Sequence, residues 1–254
     1  MGSATTQART ATAEALASTS GVDLDVAREL FAAVGTVSGS AQLSGALSDS
    51  SVPAPARAGL VSAVFGSSYR PATVALLSSA AQQRWSTSAE FVEGIEELAV
   101  RATAVAESAD IEPELFSFSR TVAANGELEL ALGGRLGDAS AKGALVTKLL
   151  DGRVSAGTTL IVSSLVQNAR GRRVRALLRR AESIVADQRT RIVATVLRGS
   201  ASERRAADPS AERSQRSLRF GGHAEHRDRP DGGRRSARAD RGRRHRRERV
   251  RTSR

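Results

Sequence analysis

Ala56–Trp85, ARAGLVSAVFGSSYRPATVALLSSAAQQRW, reads as an apolar helix, a Gly-Ser turn and a second apolar helix. Most of it recurs 85 positions later, as AKGALVTKLLDGRVSAGTTLIVSSLVQN from Ala141 to Asn168. The paired positions hold one offset: Ala56/Ala141, Leu60/Leu145, Val61/Val146, Thr73/Thr158, Ser78/Ser163, Ser79/Ser164 and Gln82/Gln167. The match extends upstream, with Leu30-Phe31 against Leu115-Phe116, Thr36-Val37 against Thr121-Val122, and Leu43 against Leu128. Polar as well as apolar positions agree in register, which predicts a duplicated helical unit.

Composition narrows the function. The chain has no Cys, so it holds no disulfide framework and no thiolate metal site, which suits a reducing compartment. The N-terminal MGSATTQARTATAEALA lacks the apolar core of a signal peptide. No run approaches the roughly 18 apolar residues of a membrane span, so a membrane is expected only through a partner. The net charge of +11 is concentrated at one end: Arg198–Arg254 holds 19 Arg against 8 acidic residues, which leaves 19 basic and 19 acidic residues in 1–197. A neutral body argues against specific nucleic-acid binding by the folded part.

Taken in order, the first 107 residues predict six helices. An Ala- and Thr-rich helix over 4–19 ends near Gly21. Asp23 caps a second helix carrying Val26, Leu30, Val34 and Val37. A short helix covers Ala41–Leu47. Pro53 opens a helix that ends at Phe65, with Gly66 as a left-handed cap. Pro71 starts the fifth. Thr87 and Glu90 form a capping box ahead of Phe91, Ile95, Leu98, Ala102 and Val105, spaced for one helix face. Short connections predict a compact bundle over 1–107. A second helical unit follows over 108–189, with helices from Pro113 to about Asn125 and over 138–151, 156–168 and 171–187. Arg191–Val196 is β-branched and reads as a short strand, giving a remnant strand segment over 190–197. From Arg198 to Arg254 the only large apolar residues are Leu218, Phe220 and Val250, too few to offset the cost of ordering the chain, so this tail is expected to be disordered. The fold class is therefore mainly α: a six-helix N-terminal bundle, a duplicated helical unit, one short strand and an Arg-rich tail.

No catalytic centre is legible. All three His lie in the tail, at His223, His226 and His245, so the body offers no His- or Cys-based nucleophile system. Gly133-Gly134-Arg135-Leu136-Gly137 is Gly-rich but does not follow a strand, and reads as a loop rather than a phosphate cradle. Glu93, Glu96 and Glu97 read as a solvated helix face. Arg172, Arg173, Arg175, Arg179 and Arg180 likewise read as a solvated face, with no aromatic interleaved for base stacking. Trp85 closes an apolar helix and reads as a core residue. No cofactor and no metal are implied.

Leu30–Gly66, LFAAVGTVSGSAQLSGALSDSSVPAPARAGLVSAVFG, and Pro71–Ala102, PATVALLSSAAQQRWSTSAEFVEGIEELAVRA, resemble the delta subunit of bacterial F-type ATP synthase, whose mitochondrial relative is the oligomycin-sensitivity-conferring protein. Arg84-Trp85-Ser86 and the acidic helix from Phe91 carry the resemblance most closely. Glu114–Leu132, ELFSFSRTVAANGELELAL, and Arg189–Val196, RTRIVATV, look like the longer actinobacterial form. The resemblance implies a stator part that is not an enzyme by itself, placed peripherally at the cytoplasmic face of the cell membrane within the complex. It also implies two partners: alpha subunits, through their N-terminal helices, and the b subunit of the peripheral stalk. The family's helix-binding groove lies between its first and fifth helices. Here that implies Ala13 and Leu16, one turn apart, with Val74, Leu77 and Ala81.

After Val196 the chain departs from that family's pattern, which continues with a Pro-Leu helix start and a Gly-Gly hairpin. The replacement is rich in Arg, Ala, Ser, Gly, Asp and Pro, the residues a GC-rich coding sequence yields out of frame. Two other readings compete with the stator: a helical nucleic-acid-binding protein with a basic arm, and an unrelated helical-repeat scaffold. We hypothesise a frame change near Leu197 or Arg198. Translating the coding DNA in its other two frames is expected to restore a Gly-Gly hairpin, and its absence from both would overturn the idea.

Overall fold

Eleven helices follow one another in the computed structural model, which describes residues 2–134 and 137–206, with side chains through 192. The first is α1 (Ser3–Ser18). Asp23 accepts the N–H groups of Asp25 and Val26 to start α2 (Leu24–Gly39), and Ser40 accepts that of Leu43 to start α3 (Ala41–Ser48). These bonds satisfy donors that a helix start leaves free. Pro53 precedes α4 (Ala54–Phe65), and Pro71 is the first residue of α5 (Pro71–Gln82), where its missing N–H costs nothing. Thr87 caps α6 (Ser88–Ala106). Then come α7 (Ile111–Ala124), α8 (Gly126–Gly133) capped by Asn125, α9 (Ala139–Leu150) capped by Asp138, α10 (Ala156–Gln167) capped by Ser155, and α11 (Val174–Ala206).

The core is organised on α6. It packs against α1, α2, α3, α5 and α10, and from Phe91 to Thr103 only Glu93 is not buried. A helix contacted on so many sides has no solvent face to spend on polar residues, which is why its stripe of Phe91, Ile95, Leu98 and Ala102 is continued by Val92, Ala99 and Val100. Trp85 seals the entry to this helix. Its ring meets Phe91 edge-on with centroids 5.9 Å apart, and its Nε1–H donates to the Ala80 carbonyl at 2.8 Å. The indole lies so close to Gly94 that a Cβ there would sit 2.1 Å from a ring carbon. Trp85 is thus a core residue, as its place at the end of an apolar helix predicts.

A second recurring device fixes the hairpins. Glu29 on α2 accepts the N–H of Arg70 at 2.9 Å and the Thr73 hydroxyl at 2.5 Å, at the start of α5. Glu114 on α7 accepts the N–H of Ser155 at 3.0 Å, its hydroxyl at 2.6 Å and the Thr158 hydroxyl at 2.5 Å, at the start of α10. A carboxylate at a helix N-terminus meets both unpaired donors and the positive end of the dipole. Burial alone would raise the Glu114 carboxyl; the bonds from Ser155 and Thr158 outweigh it and hold the group below its usual range.

Several expectations change. Arg191–Val196 is not a strand but part of α11. A lone strand here has no partner for its backbone groups among the described residues. Continuing a helix through β-branched residues costs only about 0.5 kcal/mol each, relative to Ala, and neither Gly nor Pro interrupts the run from Val174 to Leu197. The same helix carries the backbone of 198–206, so that part of the expected tail is helical; residues 207–254 lie outside the described residues. Gly66 is right-handed (φ −62°), not left-handed, because the chain coils on: the Tyr69 N–H donates to the Phe65 carbonyl and the two rings stack. The capping box at α6 is half made. Thr87 accepts from Glu90, but the Glu90 carboxylate is taken by the Thr5 hydroxyl of α1, which holds it below its usual range. The α8 helix, hidden by its two glycines, was not expected from periodicity. Gly133 and Gly134 end that helix, while Arg135 and Leu136 lie outside the described residues.

Two stability measurements check this packing. Gly94→Ala gains helix propensity of about 1 kcal/mol, yet it drives a methyl into the Trp85 ring, so a net loss of about 1–3 kcal/mol is expected in urea unfolding; a more stable variant would refute the contact. Glu114→Gln keeps the shape and removes the charge, with an expected loss of about 1–3 kcal/mol at neutral pH. Because the Glu114 carboxyl is depressed in the fold, its contribution is complete above the unfolded value and fades as pH falls through the folded one. The unfolding midpoints of wild type and variant should converge on acidification, and a gap that persists unchanged into strong acid speaks against the assignment.

Candidate partner-binding faces

Among the described residues the helices α1 and α5 pack on one another and on α6. Of the five positions assigned to a groove, Leu16, Leu77 and Ala81 belong to the core and Ala13 is buried; Val74 packs against the core edge and remains partly exposed, as does Ala15 of α1. The exposed positions of α1 and α5 are for the most part Ala, Ser and Thr, with Gln7, Glu14, Pro71 and Gln82 among them. Small side chains of this kind let another helix approach closely without displacing anything.

Behind the seam lies a network of charges that periodicity assigned to solvent. Glu96 and Glu97 are buried. Arg172 grips Glu96 with two parallel bonds of 2.7 Å, and Arg170 adds a third contact at 2.8 Å. Arg180 of α11 reaches Glu93 at 2.8 Å, and Arg9 of α1 lies 3.5 Å from Glu93 and 3.4 Å from Glu97. Arg101 joins Glu97 at 2.9 Å to Asp187 of α11 at 2.7 Å, with Gln188 at 3.2 Å. The fork geometry of guanidinium on carboxylate explains why Arg supplies every cation here. Glu93, Glu96 and Glu97 are therefore neither a solvated face nor a free acid–base pair, and Arg172 and Arg180 point inward rather than out. Arg173 and Arg179 do face solvent. The turn that delivers these arginines is tight: Arg170 sits at φ 49° and Gly171 at φ 77°. Arg170 carries a Cβ at an angle that costs about 1–2 kcal/mol, held by its bond to Glu96.

A third feature is an open groove of about 740 Å³ between α7 and α11. Pro113 and Phe116 line one wall, Ser183 and Ala186 the other, and Glu112, Arg179, Glu182 and Arg189 stand at its rim. Phe116 is 54 % exposed. Burial raises the Glu182 carboxyl against the opposing pull of the Ser119 hydroxyl, and its Oε1 is enclosed by the protein's own atoms. No element of the sequence reading marked this groove, although the Phe31/Phe116 pairing was its one available signal.

No group of three His, Asp, Glu or Cys suited to a metal ion occurs among the described residues, nor is any single helix there long and apolar enough to cross a membrane.

No family model matches the chain. Curated relatives do. The chain is 45% identical over 203 residues to the ATP synthase subunit delta of Leifsonia xyli, covering 78% of this chain and 76% of the relative. It is 35% identical over 189 residues to that of Streptomyces avermitilis, covering 72% and 69%. It is 34% identical over 198 residues to that of Nocardia farcinica, covering 76% and 73%.

Proposed function

The chain belongs to the ATP synthase delta-subunit family, and on that premise we propose how its helices serve the complex. The subunit is non-catalytic: it is a peripheral-stalk component of the proton-translocating ATP synthase. The 45% identity across 76% of a delta subunit carries this reading, and it replaces the unrelated-scaffold alternative. Nothing in the body favours the nucleic-acid alternative, because the inner arginines are already paired with carboxylates.

The finer assignments are ours. N-terminal helices of alpha subunits lie across the α1–α5 seam, with Val74 in contact and Ala13, Leu16, Leu77 and Ala81 as the floor that keeps the two helices level. An amphipathic helix on a groove of small residues is a familiar mode of recognition. The b subunit is the second partner. Attachment to the membrane runs through the complex, at its cytoplasmic face. We further infer that the helical unit over 108–189 is a copy of the unit over 1–107 from α2 onward, with α11 as the counterpart of α6. Three helix pairs support this, α3 with α8, α4 with α9 and α5 with α10, because their bounds differ by 85 at both ends. The Glu29–Thr73 and Glu114–Thr158 bonds repeat at the same spacing.

The test is reconstitution of the full chain with the catalytic head. Wild type is expected to co-purify. Val74→Asp should weaken retention about tenfold, roughly 1.4 kcal/mol, with helical circular dichroism unchanged. Retention that depends on the basic tail and on salt, and ignores Val74, would point back to a nucleic-acid-binding arm.

A further inference from the structure

Phe31 and Phe116 are the same residue at the same place in the two helical units, yet one is 4 % exposed and the other 54 %. The difference lies in what covers them. Arg28, Phe31 and Gly35 follow steps of three and four, so they form one stripe of α2. The ends of that stripe meet α9 and α10: Arg28 shares a cleft with Leu160 and Ser163, and a Cβ on Gly35 would lie 3.5 Å from the Asn168 side chain. The start of α10 is meanwhile pinned to α6, where the Gly157 N–H donates to Glu107 at 3.0 Å and the backbone passes close to Thr103. One short apolar helix thus lies over the α2–α6 pair and buries Phe31.

The pair α7–α11 is the second unit's version of α2–α6, and nothing described lies on it. Pro113 and Phe116 stand where Arg28 and Phe31 stand in the first unit. Ser183 and Ala186 face them from α11. Continuing the spacing of 85, the chain's own covering helix would fall at 241–252, whose sequence RGRRHRRERVRT has one large apolar residue. It cannot repeat what α10 does. Resting on the stator reading, we propose that the α7–α11 groove is a second docking site, filled by a helix of another ATP synthase subunit. That helix has about three turns and a stripe of small and branched apolar residues like that of α10 (AGTTLIVSSLVQ). The seated helix covers Phe116 as α10 covers Phe31.

The experiment places a photoreactive benzophenone side chain at position 116 of the full chain, assembles the complex, irradiates it and sequences the adduct. The expected product joins position 116 to a helical segment of another subunit with that apolar spacing. A synthetic peptide of the segment found should then bind the isolated full chain, at least tenfold more weakly to Phe116→Asp and no more than twofold more weakly to Val64→Asp, an exposed valine on α4 that serves as control. An adduct within residues 207–254, an adduct to a second copy, no adduct at all, or equal loss in both variants each overturns the proposal. If the chain with its benzophenone co-purifies with the head but gives no adduct, only this inference fails. If wild type does not co-purify, the stator reading fails and takes this one with it.

Discussion

The burial of α6 is the constraint on which the other packing depends. A helix contacted by α1, α2, α3, α5 and α10 must be apolar nearly all round, and the few charges it keeps must be met by partners brought from elsewhere. Those partners define the rest of the chain. Arg9 requires α1 to lie alongside. Arg170 and Arg172 require the tight turn after α10, and Arg180 with Asp187 requires α11 to run back along the same helix. One central helix therefore holds together the helices that precede it and those that follow it.

Much of this was legible in the residues. Caps at Asp23, Thr87 and the two prolines gave the helix starts, because capping is a local bond between neighbours. The constant offset gave the hairpins α4–α5 and α9–α10. The α8 helix was missed because glycines at both ends mask a helix that is held by its Asn125 cap and by Leu132 in the core. The stretch 191–196 departs from the strand expectation because β-branching measures a preference for pleated surroundings, and among the described residues no neighbouring strand supplies them.

The charges were the harder case. Glu93, Glu96 and Glu97 look like a solvated face at helical spacing, since periodicity records only which residues share a side and not what lies opposite. Apart from Arg101, four residues on from Glu97, their partners come from positions more than seventy residues away, and no local rule finds those. The α1–α5 positions are assigned only through family resemblance. Leu16 and Leu77 have the apolar character of any core residue, and it is the partial exposure of Val74 that separates a surface from an interior.

Buried ion pairs of this kind contribute little net stability, because desolvation offsets much of their attraction. Their value to a stator lies elsewhere. Apolar burial is non-directional, so by itself it tolerates a small shift of one helix along another. A guanidinium fork on a carboxylate does not survive it, since its two parallel bonds hold at one position only. A subunit that resists torque transmitted through the head must keep its helices in fixed register under lateral load. In this chain the register of α1, α6 and α11 is set by Glu93, Glu96 and Glu97, while the apolar core supplies the cohesion. The division of labour also bears on the neutral body: each charge taken inside to fix a position needs its opposite, so the inner arginines add no net charge.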